Sequence, residues 1–134
     1  MIQRIGAATI PVLPDLIVTA WDNYEGPAVF STLDGNGNPN AVYVTCARIY
    51  GSDRIAIADN YFDKTRKNIL EGSGGAFLFI TKERKAYQIK GSISYQATGE
   101  IRDYLKNCLD PKYPVHAAAV LMVEEAYSGA EKLI

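Results

Sequence analysis

Apolar and polar positions divide the chain into strand-like runs joined by short turns, and helical spacing is confined to a few brief stretches. The run "LPDLIVTAWDNYEG" (13–26) predicts a short helix. Pro14 fits its first turn, Leu16, Ile17, Ala20 and Trp21 share an apolar face, and Gly26-Pro27 ends it. "PAVFSTL" (27–33) reads as a strand. "DGNGNPN" (34–40) has a turn former at every position. "AVYVTCARIY" (41–50) reads as one long strand of β-branched and aromatic residues, and "GSD" turns it into the strand "RIAIAD" (54–59).

The pattern then changes to helix from about Asp63 to Leu70, with Gly72 placed to end it. "AFLFITK" (76–82) is a continuous apolar strand, predicted to be buried on both faces or nearly so. "AYQIKGSISYQATG" (86–99) is a long strand with Gly91 at a bulge or bend. "EIRDYLKNCL" (100–109) repeats Ile101, Tyr104, Leu105 and Cys108 at helical spacing. "VHAAAVLMVEEAYSG" (115–129) reads as strand, although its three alanines also suit a helix. Six or more closely spaced strands with few helices predict a mainly β fold, a closed or nearly closed antiparallel barrel. An open sheet would leave edges such as "AFLFI" exposed, and barrel closure or dimerisation across a wall removes that liability.

Length and composition narrow the class. A chain of 134 residues fits a single domain, 1–134, large enough for a real core. Its 14 basic residues balance 15 acidic ones, so it carries no electrostatic signature of a nucleic-acid binder. Cys46 and Cys108 form no CxxC pattern and suggest a reducing compartment, while one histidine, His116, is too few for a His-rich metal site. The N-terminal "MIQRIGAATIPVLPDL" has no long apolar core and two prolines. No signal peptide and no membrane span are expected, and the cytoplasm is the expected location.

The candidate chemistry lies at the strand-to-helix junction "ADNYFDKTRKNIL" (58–70). Lys64 and Thr65 fall in the first helical turn, and Asn68 follows at a spacing that lets all three share one face. A helix start offers unpaired N–H groups, so this set could cradle a phosphate. It could equally be an ordinary surface helix. Asp63 is the expected cap, through its carboxylate, with Asn60 as the alternative.

In order and spacing, "GNPNAVYVTCARI", "IAIADNYFDKTRKNIL", "AFLFITK" and "AYQIKGSI" resemble the pyridoxamine 5′-phosphate oxidase-like family of flavin-binding split barrels, most of all its small flavoredoxin and FMN-binding-protein members. The resemblance spans roughly residues 14–128. It implies a six-stranded Greek-key split barrel, a homodimer, and FMN bound between the subunits. It places the phosphate-binding pair on Lys64 and Thr65, with Asn68 as an accompanying polar position. The flavin-facing segments fall on Tyr43, Val44, Thr45 and Cys46 and on Ala58, Asp59 and Asn60, with Tyr61 next. Gln88 and His116 are the candidates for a second wall supplied by the partner subunit.

Strand alternation puts Tyr43 and Thr45 on one face and Val44 and Cys46 on the other, so only one pair can present side chains to a ring. Thr45 is favoured, because its hydroxyl suits a ribityl or phosphate group; Tyr43 serves either the cofactor or the core. Cys46 on an apolar strand reads as an inert buried thiol. His116 reads as a structural imidazole or as a residue across the dimer interface. True pyridoxamine phosphate oxidases carry arginine and lysine where this chain has Val42 and Ala47, and a basic C-terminal segment in place of "EEAYSGAEKLI". Vitamin B6 oxidation is therefore not expected. The implied function is an FMN-dependent oxidoreductase or electron carrier with a small-molecule or redox-protein partner. A deazaflavin-dependent reductase and a non-enzymatic ligand-sensing module are the alternatives.

Overall fold

The computed structural model describes residues 2–5 and 8–134, with side chains from Pro11 onward. The reading of the N-terminus as leaderless falls partly on residues 1, 6 and 7, which lie outside the described residues. Among the described residues there are ten strands and three helices. In chain order they are β1 (Ile2–Ile5), β2 (Ala8–Pro11), α1 (Asp15–Trp21), β3 (Ala28–Leu33), β4 (Pro39–Val44), β5 (Ala47–Tyr50) and β6 (Arg54–Asp59). There follow α2 (Lys64–Leu70), β7 (Gly75–Ile80), β8 (Ala86–Gln96), α3 (Glu100–Cys108), β9 (Ala117–Ser128) and β10 (Glu131–Lys132). No described helix is long and apolar enough to cross a membrane.

The main sheet runs β4-β3-β7-β8-β9-β6-β5, with β10 added on β9, and every pairing is antiparallel. The six-stranded expectation counted residues 41–50 as one strand. They form two, β4 and β5, on opposite edges of the sheet, and only Thr45 and Cys46 join them. A two-residue link between opposite edges requires the sheet to curl until those edges meet, which is the geometry of a barrel with a split wall. The Ala58 N–H donates to the Cys46 carbonyl at 2.9 Å and fixes the crossing point. The β1-β2 hairpin was not predicted, and it pairs only with itself.

Inside the curl, Phe30, Val44, Ile55, Ile57, Phe77, Phe79, Ile89, Ala119 and Leu121 form one core. A second layer lies between the outer face of β6 and β9 and the helix α3. It contains Cys46, Ala56, Ala58, Ile101, Leu105, Ala118 and Val120. This layer explains the alanine run: β9 is covered on both faces, and Ala117 through Leu121 are all buried within one chain. The segment is strand throughout, so the helical alternative does not hold.

Other expectations are corrected. "AFLFI" is covered on one face only: Phe77 and Phe79 are core, whereas Leu78 between them is 40% exposed. In α1, Pro14 is the cap rather than a first-turn residue, and Leu16 is 50% exposed, so the buried face rests on Ile17 with Ala20 and Trp21 beside it. In α3, Ile101 and Leu105 are buried but Cys108 is exposed. The helix stop at Gly72 (φ +97°) is as predicted. The Gly72 N–H donates to the Ile69 carbonyl and the Ser73 N–H to the Asn68 carbonyl, both at 3.0 Å, a Schellman closure.

Gly91 is also as predicted. The β8-β9 register shifts by one between Lys90, opposite Glu125, and Gly91, opposite Val123, leaving Glu124 as the extra residue of a bulge.

Candidate functional site

The split in the barrel wall opens into a cleft of about 410 Å³. One side is β4, whose alternation turns Asn40, Val42 and Val44 inward, together with the Thr45-Cys46 link. The opposite side is the end of β6 and the turn into α2, through Ala58, Asn60, Tyr61, Phe62 and Asp63. Lys64 and Thr65 at the start of α2 complete this side, and Tyr113 from the loop after α3 also lines the cleft. The lining is therefore mixed. Val42, Val44, Ala58 and Phe62 form apolar surface, while the Asn40 and Asn60 amides, the Thr45 and Thr65 hydroxyls, the Asp63 carboxylate and the Lys64 ammonium supply polar groups.

The polar groups are arranged by bonds behind them. Thr65 is buried, and its Oγ1 accepts a hydrogen bond from Asn40 Nδ2 at 3.1 Å. An accepting hydroxyl keeps its own hydrogen free to donate. Asn60 Oδ1 accepts from the Val115 N–H at 3.1 Å, which fixes the amide. Lys64 is exposed and makes no ion pair among the described residues. Asp63 occupies the cap position of α2 without a side-chain hydrogen bond to the helix, so the expected carboxylate cap is absent; Asn60 does not replace it, being bonded to Val115. The first-turn N–H groups thus have no side-chain cap.

Of the residues singled out in the sequence, Tyr43, Val44, Thr45, Cys46, Ala58, Asn60, Lys64 and Thr65 come together around this cleft. Tyr43 is 78% exposed and is not core. Thr45 is exposed on the same side, and Val44 and Cys46 are buried, in keeping with strand alternation. Asn68 is set apart: it is buried, its Nδ2 donates to Thr32 Oγ1 at 3.0 Å, and this ties α2 to β3. It borders a neighbouring polar hollow that shares Asn40 and Lys64 with the cleft. Gln88 lies on β8 opposite Leu78 and Tyr127, away from the cleft of its own chain. The His116 side chain is exposed, and its backbone N–H donates to the Asp59 carbonyl at 2.9 Å.

Asp59 borders the cleft only through its neighbours. Its side chain shares the barrel side of β6 with Ile57 and is fully buried. Arg66 grips it with two bonds, Nε to Oδ2 at 2.7 Å and Nη2 to Oδ1 at 3.0 Å. The Tyr95 hydroxyl donates to Oδ2 at 2.5 Å, and the Phe62 N–H donates to Oδ1 at 3.0 Å. Burial by itself would push this carboxyl up, but the bonds from Arg66, Tyr95 and the Phe62 N–H outweigh it and hold it below the usual carboxylate range. Burial, and then the bond to Asp59, push the Tyr95 phenol up. This cluster joins β6, α2 and β8 behind the cleft. Its members Arg66 and Tyr95 were not foreseen, because they lie 7 and 36 residues from Asp59 and share no short motif with it.

Asn40, Phe62 and Tyr113 were also missed. Asn40 had a signal: it continues the alternation of Val42 and Val44 back into the turn. Tyr113 had none, since the loop "DPKYP" carries no periodicity.

A family model for pyridoxamine 5′-phosphate oxidase matches residues 18–130. The chain belongs to this family. An uncharacterized protein of Methanocaldococcus jannaschii is 30% identical over 110 residues, which cover 78% of this chain and 74% of that protein. Among solved structures, HupZ of Group A Streptococcus superposes with a TM-score of 0.70 at 22% identity, over 81% of this chain and 86% of that one. An FMN-binding protein from Syntrophomonas wolfei superposes with a TM-score of 0.64 at 23% identity, over 75% and 74%. At these identities the structural likeness speaks for the fold. The pyridoxamine 5′-phosphate oxidase-like fold agrees with the curled antiparallel sheet and the split wall described above.

Proposed function

We propose that this chain binds FMN in the cleft at the barrel split and acts, as a homodimer, as an oxidoreductase or electron carrier. The supporting observation is the make-up of the cleft. An uncapped helix start, a free ammonium on Lys64 and a hydroxyl hydrogen on Thr65 converge at one end, and apolar surface from Val42, Val44, Ala58 and Phe62 extends from there. A flavin mononucleotide needs both, an anion anchor and an apolar slot for a flat ring. Bound FMN supplies the redox chemistry. Lys64, Thr65 and the first-turn N–H groups hold the phosphate, and Asn60 and the Thr45-Cys46 backbone supply polar contacts.

The homodimer rests on the openness of this cleft. Tyr43 and Tyr61 stand at its rim, 78% and 75% exposed, and a second chain would cover them. Gln88 and His116 are then available as the second chain's contribution. The apolar run 117–121 does not argue for a dimer, because it is buried within one chain, whereas Leu78 on β7 is 40% exposed. Sedimentation in the presence of FMN should show a dimer at micromolar concentration, and a monomer alone would refute this part.

Replacing Lys64 with alanine should weaken FMN by about 1–3 kcal/mol, the range for losing a hydrogen bond to a charged group. Riboflavin, which has no phosphate, should bind the variant as it binds the wild type. Equal losses for both ligands would remove Lys64 from the phosphate site. The purified protein should be yellow, and mass spectrometry of the released chromophore should give the mass of FMN. A deazaflavin mass would keep the barrel and change the cofactor. No chromophore and no FMN binding would leave a ligand-sensing or interaction role.

A further inference from the structure

The loop between α3 and β9 is held more firmly than a connection needs. Lys106 Nζ donates to the carbonyls of Tyr113 (3.0 Å) and Pro114 (3.3 Å), and Arg102 Nε donates to the Val115 carbonyl (3.0 Å). The Val115 N–H is bound to Asn60 Oδ1, a cleft residue, and the His116 N–H to the Asp59 carbonyl. Asp110 closes the start of the loop by accepting from the N–H groups of Lys112 and Tyr113. Val115 is fully buried at φ +43°, a left-handed conformation that a β-branched residue seldom adopts. Strain of this kind persists only where its surroundings over-determine it, and it gathers at ligand sites. What the strained loop presents is Tyr113. Its half-buried ring packs against the second core layer and lines the cleft, with Lys112 Nζ 5.2 Å from the ring centroid.

We infer that Tyr113 is a ligand-contacting specificity residue: the strapped loop 110–116 holds its ring in the cleft wall, ready to pack on the flat ring system of the bound molecule. The inference rests on the reading of the cleft as a flavin site. It adds that ring recognition is assigned to this chain's own loop as well as to its strands. Lys112 takes up one part of the tyrosine's π surface, so the ligand meets the remainder. A ring pre-positioned by backbone bonds loses little freedom on binding, which is the condition under which an aromatic contact contributes fully.

The test compares two variants against two ligands, by titrating FMN and riboflavin into the cofactor-free full-length protein. Tyr113→Leu removes the aromatic ring with modest loss of volume and should weaken both ligands equally, by about three- to ten-fold, the scale of an aromatic pair. Tyr113→Phe should bind both as the wild type does. This pattern differs from that of Lys64→Ala, which should affect FMN alone. Unchanged affinity in Tyr113→Leu, or a loss confined to FMN, would overturn the inference. If the wild type binds neither flavin, the proposed cofactor is wrong, and that outcome is separate from a wild type that binds both and is indifferent to residue 113. Circular dichroism and thermal melting of both variants establish that they are folded before the affinities are compared.

Discussion

Replacing Gly91 with alanine is expected to destabilise the protein by about 3 kcal/mol or more, at or above the usual cost of over-packing a core. At the bulge between β8 and β9, a Cβ on residue 91 would sit 1.7 Å from the Met122 carbonyl oxygen and 2.8 Å from its carbon. These are backbone atoms inside a sheet, so no rotamer change relieves the clash; the two longest strands must separate or lose the bulge. Urea denaturation of Gly91→Ala against wild type measures the effect. Gly75, which pairs with Gly91 across β7-β8, is the control. Its added Cβ would meet the side-chain tips Ile93 Cδ1 and Phe30 Cε1 at 2.8 and 2.9 Å, and side chains can give way where a carbonyl cannot. Gly75→Ala should therefore cost less. A loss below about 1 kcal/mol for Gly91→Ala would show that the bulge is not rigid.

The second large effect concerns Arg66. Arg66→Met should destabilise the fold at neutral pH by about 3 kcal/mol, the lower end of the range for breaking a buried pair, since the arginine is itself 36% exposed while the Asp59 side chain is fully buried. The deficit should depend on pH with a definite sign. In the wild type the Asp59 carboxyl is held below its ordinary value, so its contribution is complete above the unfolded value of about 3.9 and fades as pH falls below it. In Arg66→Met the carboxyl loses its cation, and its burial then favours the protonated form. The two proteins should thus differ most near neutrality and converge as pH falls through about 4. A stability difference independent of pH would mean that Arg66 contributes by packing alone. Because Arg66 ties α2 to Asp59, the last residue of β6, the variant should also show weaker FMN binding, through displacement of Lys64 and Thr65.

Both predictions rest on long-range relations, and these mark where local pattern stops being informative. The turn after Leu33 (its last two predicted residues, Pro39 and Asn40, already belong to β4), the helix 64–70, its end at Gly72 and the bulge at Gly91 were legible because each depends on residues within one turn or one strand. Glycine and the small polar residues impose local backbone choices whatever surrounds them. The segments 43–46 and 58–60 and the Lys64-Thr65 pair were picked out as an ordered set of short motifs, and the fold brings all of them except Asp59 to one cleft.

Other features depended on which element covers which face. The run 41–50 has uninterrupted strand character, and only barrel closure divides it at Thr45, because its halves belong to opposite sheet edges. "AFLFI" and "HAAAVLMV" are equally apolar in sequence; α3 lies over the second, whereas Leu78 in the first stays 40% exposed. Asp59 carries the same signal as its neighbours, yet its carboxylate is committed to Arg66 and Tyr95, partners supplied by α2 and β8. Tyr113 is held in the cleft by bonds that its loop accepts from Arg102 and Lys106 and donates to Asn60, partners that no spacing in "DPKYP" encodes. Periodicity and turn chemistry record what a segment does with its own backbone, whereas burial, pairing and pre-positioning are properties of two segments at once, and they exist only after the chain has closed on itself.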